Sequence, residues 1–288
     1  VASAWVMVMI TALSQQIAVS ANRPRLGALV FAGPGAGVVL TGLLALAANV
    51  SGQGSATLWL VYAVAALIML LVIVPILPQS SALPAQPPTA APGTRQPGIA
   101  RLGAIYGLYG LGYIIPATFL SQMASAQFHG QWQADLFWPA FGLCAATGVA
   151  LISLRRPDPG TTRFWLMGGL WIQALGVLAC LLPSSTGLAL GVILCGTPFL
   201  ACMPLVMQRS RDLAPHATAR NAALLTACFA VGQLCGPLLA ALSSHFSGGL
   251  QPALVIAASG LLLAGVLAWQ SVNCPAERVL CDAPTAPH

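Results

Sequence analysis

Few residues in this chain can do chemistry, and those few point to recognition more than to bond-making. The five acids are Asp135, Asp158, Asp212, Glu277 and Asp282, and the histidines are His129, His216, His245 and His288; all fall between apolar runs, at their ends or in the tail. An active site needs nucleophile, base and stabilising groups gathered at one place, and no such cluster exists, so an enzyme is the remote reading. Cys195/Cys202 and Cys228/Cys235 are each spaced i, i+7. Soft thiolates suit copper or zinc, but no His or carboxylate accompanies them, so they read as small apolar packing; no metal or cofactor is expected. What remains is aromatic and amide chemistry. Tyr106, Tyr109 and Tyr113 recur at i, i+3, i+7, which is one face of a helix. Such a face can line a cavity, pack, or anchor at a membrane interface. Gln233 and Gln173 sit mid-run, Thr197-Pro198 marks a kink that frees a backbone carbonyl, and Trp5 is a further, weaker candidate. Gln173 reads as packing, and Asp135 as an edge anchor.

The elements that must position these residues are set by composition. Of 288 residues 58% are hydrophobic and only 6% charged, with mean hydropathy +0.85. Soluble domains carry about 25% charged residues, and a chain this apolar would expose large sticky patches to water. Its solvent is therefore the lipid bilayer, which only closed hydrogen-bonded elements such as helices can cross, at about 20 apolar residues each. The net charge of +6 is no nucleic-acid footprint, because the arginines mark topology instead.

Nine apolar segments are expected: 1–19, 26–48, 56–77, 101–124, 136–154, 163–182, 187–208, 219–243 and 252–270. All 11 basic residues are Arg, and they fall around alternate connections: Arg23 and Arg25; Arg95 and Arg101; Arg155, Arg156 and Arg163; Arg209, Arg211 and Arg220; and Arg278. The intervening connections hold none. Nine crossings put every Arg on one side, which the positive-inside rule makes cytoplasmic. Between Pro78 and Ala100 the chain is rich in Pro and Gly and poor in large apolar residues, an extended solvated linker. The division is 1–77, the last three helices of an N-terminal half; 78–100, a cytoplasmic linker; 101–270, a six-helix C-terminal half; and 271–288, a cytoplasmic tail. Three helices before the linker and six after it, with Val1 opening inside an apolar run, predict three more helices upstream.

Two segments repeat a small-residue step. Gly33-Pro34-Gly35-Ala36-Gly37, followed by Gly42, precedes the linker, and Gly232-Gln233-Leu234-Cys235-Gly236-Pro237 follows it. Small residues four apart let backbones approach, and Pro34, Pro116 and Pro237 bend their helices. Gly33, Gly37, Gly232 and Gly236 are the expected packing positions.

These motifs carry a resemblance. The run Tyr106-Gly107-Leu108-Tyr109-Gly110-Leu111-Gly112-Tyr113-Ile114-Ile115-Pro116 resembles helix seven of the YbfB/YjiJ-like branch of the major facilitator superfamily. The Gly-Gln-x-x-Gly-Pro of Gly232–Pro237 fits the same branch. The Gly33-Pro34 step resembles the helix-five motif of facilitator antiporters, and Val1-Ala2-Ser3-Ala4-Trp5-Val6 the middle of helix four. The resemblance implies an all-α integral membrane protein: nine of twelve transmembrane helices, in two pseudo-symmetric six-helix halves, the first lacking roughly its first three. It implies a multi-pass secondary transporter of a bacterial inner membrane. Such a carrier moves a small organic solute by alternating access; the helix-five motif leans towards efflux or exchange, while import against export is not read from the sequence. Tyr106, Tyr109, Tyr113, Thr197, Gln233 and Trp5 would then bind substrate. Asp158 and Arg163 would form a cytoplasmic gate, against the plainer reading of a solvated loop, and a coupling proton would use the upstream helices. The alternative is a truncated, non-transporting remnant or scaffold.

Overall fold

The computed structural model describes residues 31–75, 97–129, 131–155 and 157–270. Eight α-helices form there: α1 Ala32–Val50, α2 Ser55–Ile73, α3 Pro97–Gln127, α4 Phe137–Arg155, α5 Thr162–Ala179, α6 Ser185–Leu213, α7 Thr218–Ser247 and α8 Gln251–Gln270. Short 3-10 turns at Trp132–Leu136 and Pro215–Ala217 precede α4 and α7. No strand occurs among the described residues, and seven of the helices are long and apolar enough to cross a membrane. Eight of the nine expected segments thus appear as helices; the first, 1–19, lies outside the described residues, as does the expected start of the second at residue 26.

Several ends differ by four or five residues: α2 stops at Ile73, and α6 and α7 run on to Leu213 and Ser247. α3 begins at Pro97, inside the stretch expected to be extended linker. Pro is tolerated at the first helical position, because the N–H it lacks would have no intrahelical partner there. The helix of 31 residues is about 46 Å long, against a hydrocarbon layer about 30 Å thick. Its first turns, with Arg101, can therefore stand among headgroups.

The helices are apolar nearly all round, so their packing is decided by where backbones can approach. Glycine decides it at almost every crossing. On α7, a Cβ at Gly232 would overlap the carbonyl oxygen of Gly107, and one at Gly236 would overlap the Ile114 side chain on α3. On α4, a Cβ at Gly148 would collide with the Thr197 carbonyl on α6. Gly169 and Gly176 of α5 are notches filled by thiols: a Cβ there would stand 2.7 Å from Cys202 Sγ and 2.8 Å from Cys195 Sγ. The i, i+7 cysteines of α6 therefore match an i, i+7 pair of glycines, which accounts for that spacing by packing. α1 meets α4 through Gly35, whose Cβ would lie 2.9 Å from the Ala146 nitrogen, and through Gly42, against the Pro139 ring. Among the described residues nothing lies within 4 Å of a Cβ at Gly33 or Gly37. The close approach in this motif is thus offset by two residues from the expected pair, because Gly35 and Gly42 share the face turned to α4.

Contact register also fixes helix direction. Gly107 lies beside Cys228 and Ile114 beside Gly236, so α3 and α7 run parallel. Cys144 lies beside Gly196 and Gly148 beside Thr197, so α4 and α6 do too. Cys180 lies at Gly191 and Cys195 at Gly176, making α5 and α6 antiparallel. The short 128–136 connection returns α4 alongside α3. Arg101, Arg155, Arg163, Arg209, Arg211 and Arg220 consequently gather at one end of the bundle. α7 and α8 turn at the other end, where Gly248 takes φ +70° and its N–H donates to Ser244. No residue of α2 is buried, and the helix rests on α1 with the Tyr62 hydroxyl donating to the Thr41 carbonyl at 2.8 Å.

Gln173, in the middle of α5, is fully buried, and among the described residues neither its amide nitrogen nor its oxygen has a hydrogen-bond partner. An unpaired buried amide costs stability. Gln173→Met, of similar length and apolar, should therefore raise the thermal midpoint of the solubilised protein, with a gain of about 1 kcal/mol. A fall in the midpoint would show that the amide finds a partner in the assembled protein.

Candidate solute-binding site

The tyrosine stripe of α3 becomes the core of an aromatic stack. Tyr106, Tyr109 and Tyr113 are all buried, and the Phe229 ring of α7 contacts each of them, with centroids at 4.6, 5.5 and 5.5 Å. Phe229 reaches them because Gly110 lies under its own carbonyl; a Cβ there would overlap the Phe229 oxygen. The stack continues through Phe199 of α6, 4.7 Å from Tyr113, to Phe141 and Trp138 of α4. Ring pairs at these separations add to what area burial alone provides.

Two of the three tyrosine hydroxyls are bonded within the protein. The Tyr109 hydroxyl donates to the Phe199 carbonyl, and the Gln233 amide donates to the Tyr113 hydroxyl. Gln233, expected near a binding face, thus holds Tyr113 in place.

Above the stack, toward the Arg-free end, lies a pocket of about 400 Å³. Tyr113, Phe199, Phe141 and Trp138 provide aromatic walls, Val38 of α1 closes one side, and Ile114, Ala117, Thr118 and Ser121 of α3 complete it. Thr118 and Ser121 bring hydroxyls, and no lining residue is charged. Chemically, the pocket offers π faces and a few hydrogen bonds to a small, largely apolar molecule, within the 300–1,000 Å³ range of ligand sites.

The expected site residues divide accordingly. Tyr106, Tyr109, Tyr113 and Gln233 are brought together, but only Tyr113 lines the pocket; Tyr106 and Tyr109 support it from behind. Thr197 lies elsewhere: its hydroxyl donates to the Ile193 carbonyl at 2.8 Å, and it lines a groove between α4, α5 and α6. Phe199, two residues on, faces the pocket in its stead. Trp5 lies outside the described residues, as do residues 1–30 generally. Pro116 and Pro237 are interior to α3 and α7, whereas Pro34 is in the first turn of α1, where it removes no intrahelical hydrogen bond. In the 157–161 connection, the Asp158 backbone carbonyl accepts from the N–H groups of Thr161 and Thr162 and from both hydroxyls. The Arg163 guanidinium instead lies 4.8 Å from the centre of the Phe164 ring. Among the described residues no ion pair joins Asp158 and Arg163.

Sequence reading missed Phe199, Phe229, Trp138, Phe141, Thr118 and Ser121. The stripe itself carried a signal for two of them: extended past Pro116 at helical spacing, Tyr113 leads to Ala117 and Ser121, with Thr118 beside them.

Residues 1–269 match the family described as "Uncharacterised MFS-type transporter YbfB". The chain belongs to this family of major facilitator transporters. It is accordingly a multi-pass membrane transporter. No curated protein and no solved structure matched it. As a facilitator, it carries its aromatic pocket at a crossing of four helices, α1, α3, α4 and α6.

Proposed function

We propose that this facilitator moves a small organic solute, uncharged or weakly polar and with an aromatic or apolar face, across a bacterial inner membrane by alternating access. The observation that carries the reading is the pocket of about 400 Å³ floored by Tyr113 and Phe199, with Thr118 and Ser121 as its hydroxyls. The Arg-bearing end is cytoplasmic in this reading, by the positive-inside rule. α1 and α2 belong to one half and α3–α8 to the other, with the pocket at their junction.

The test is solute flux in liposomes containing the protein, using labelled small aromatic alcohols and amines, with ethidium as a bulkier cation. Ala117→Phe places a ring in the pocket and should lower flux roughly tenfold, as a loss of about 1.4 kcal/mol at the binding step would. Trp269→Ala, at an exposed position, should leave it unchanged. Flux that survives Ala117→Phe intact would remove the pocket from the transport path.

At the Arg-free end, Asn49 of α1 donates to Asp135 beside α4 at 2.5 Å. In this reading that bond is one of the contacts that breaks as the outer side opens. A disulfide between Asn49→Cys and Asp135→Cys should therefore arrest flux, and reduction should restore it. Undiminished flux in the crosslinked protein would mean that these ends do not separate during the cycle.

A further inference from the structure

On the side of α6 away from the pocket, α4, α5 and α6 enclose a second space of about 370 Å³. We propose that it is a binding site for one anionic phospholipid, with an acyl chain in the groove and its phosphate at Arg163.

The groove opens beside exposed apolar side chains. Leu151, Phe164 and Ile172 on its walls are 44%, 42% and 44% exposed, and in a membrane protein such faces meet hydrocarbon, not water. Thr197, the one hydroxyl in its wall, is occupied by its own helix. An aqueous solute would find almost nothing to bond there. A hydrocarbon chain needs only the space, which Gly168 leaves: nothing lies within 4 Å of where its Cβ would be. Along α5 the groove runs from Phe164 to Ile172, about 12 Å of helix. That is close to the depth of one leaflet of a hydrocarbon layer about 30 Å thick.

Its mouth is basic. Arg163 adjoins Phe164 at the rim, and its Nε is buried with no hydrogen-bond partner. Residues 155–163 carry Arg155, Arg156 and Arg163 against the single acid Asp158, whose carboxylate makes no ion pair with Arg163 among the described residues. Pro157 and Asp158 are held in place, since Gln208 of α6 donates to the Pro157 carbonyl at 2.9 Å and the Asp158 backbone carbonyl accepts from the N–H groups of Thr161 and Thr162 at the start of α5. A phosphate on an acyl chain seated in the groove would meet the guanidinium charge at the rim beside Phe164.

The test is native mass spectrometry of the full chain in detergent, with added dioleoyl phosphatidylglycerol or dioleoyl phosphatidylcholine. The wild type should retain the anionic lipid about fivefold better, the effect of one Arg at a charged lipid surface. Arg163→Gln should bring the two lipids to parity. Gly168→Leu, which fills the groove, should abolish retention of both, while Gly168→Ala keeps them. Each variant is checked for monodisperse elution, and if Gly168→Leu fails to fold, Arg163→Gln still decides. Equal retention of both lipids by the wild type would overturn the proposal. So would displacement of the phosphatidylglycerol by millimolar inorganic phosphate, which would mark a free-anion site. A doubled mass replacing the lipid adduct would overturn it too, by making the groove a contact between copies.

Discussion

Gly232→Val is expected to prevent α7 from docking on α3. The new side chain must displace the Gly107 carbonyl, which belongs to a backbone and cannot rotate away as a flexible side chain would. Overpacking that forces helices apart costs about 3 kcal/mol, out of a total stability of only 5–15 kcal/mol for a typical domain. The loss should be seen as a collapse of the monodisperse peak in size exclusion and of the thermal midpoint. Gly33→Ala and Gly37→Ala form the comparison. Among the described residues neither position has a neighbour within 4 Å, and Ala is preferred over Gly in a helix by about 1 kcal/mol, so each should be neutral or mildly stabilising. Equal damage from the two sets would mean that α1 packs through Gly33 and Gly37 against a partner outside the described residues.

Phe229→Ala should have the second large effect. Its ring touches Tyr106, Tyr109 and Tyr113 at once, so removing it empties the centre of the stack. Phe→Ala changes in cores cost about 3–5 kcal/mol. Tyr113 would also lose the wall that holds its ring under the pocket. Both the thermal midpoint and solute flux should fall, and Phe229→Leu, which refills most of the volume, should recover the midpoint. A stable Phe229→Ala protein with undiminished flux would show that the stack neither supports the bundle nor shapes the pocket.

The helices were legible in the sequence because a bilayer leaves little choice. Runs of apolar residues long enough to cross must be helical, and alternating arginines fix their parity. Which glycine faces which helix was not legible in the same way. The stretch around Gly33–Gly42 is apolar on every side, so no polar face tells Gly35 apart from Gly33. In α7 the corresponding glycines, Gly232 and Gly236, both face α3. The sequence contains no feature that separates the two cases. Thr197 and Phe199 show a similar limit: two residues on a helix point to nearly opposite sides, and only the neighbouring helices decide which side is the pocket. Tyr106, Tyr109 and Tyr113 were found because helical spacing alone places them together. Phe229 and Phe199, which complete their stack, come from helices more than 80 residues later in the chain.

That separation bears on how the protein is made. The hydroxyl of Tyr109 bonds a carbonyl 90 residues later, and that of Tyr113 an amide 120 residues later. A ribosome adds about 5–20 residues per second, so α3 waits several seconds in the membrane before either partner exists. During that interval its glycine notch and tyrosine tips face lipid or whatever helix is nearest. α5 and α6, by contrast, meet across a five-residue turn as soon as both are inserted. The hairpin is therefore an early unit of assembly, and α3 is an early-made helix that is locked late. Nascent chains that stop before α7 should hold α3 loosely, and the arrival of Phe229 and Gln233 completes the bonding of its tyrosine stripe before α8 packs on the same helix.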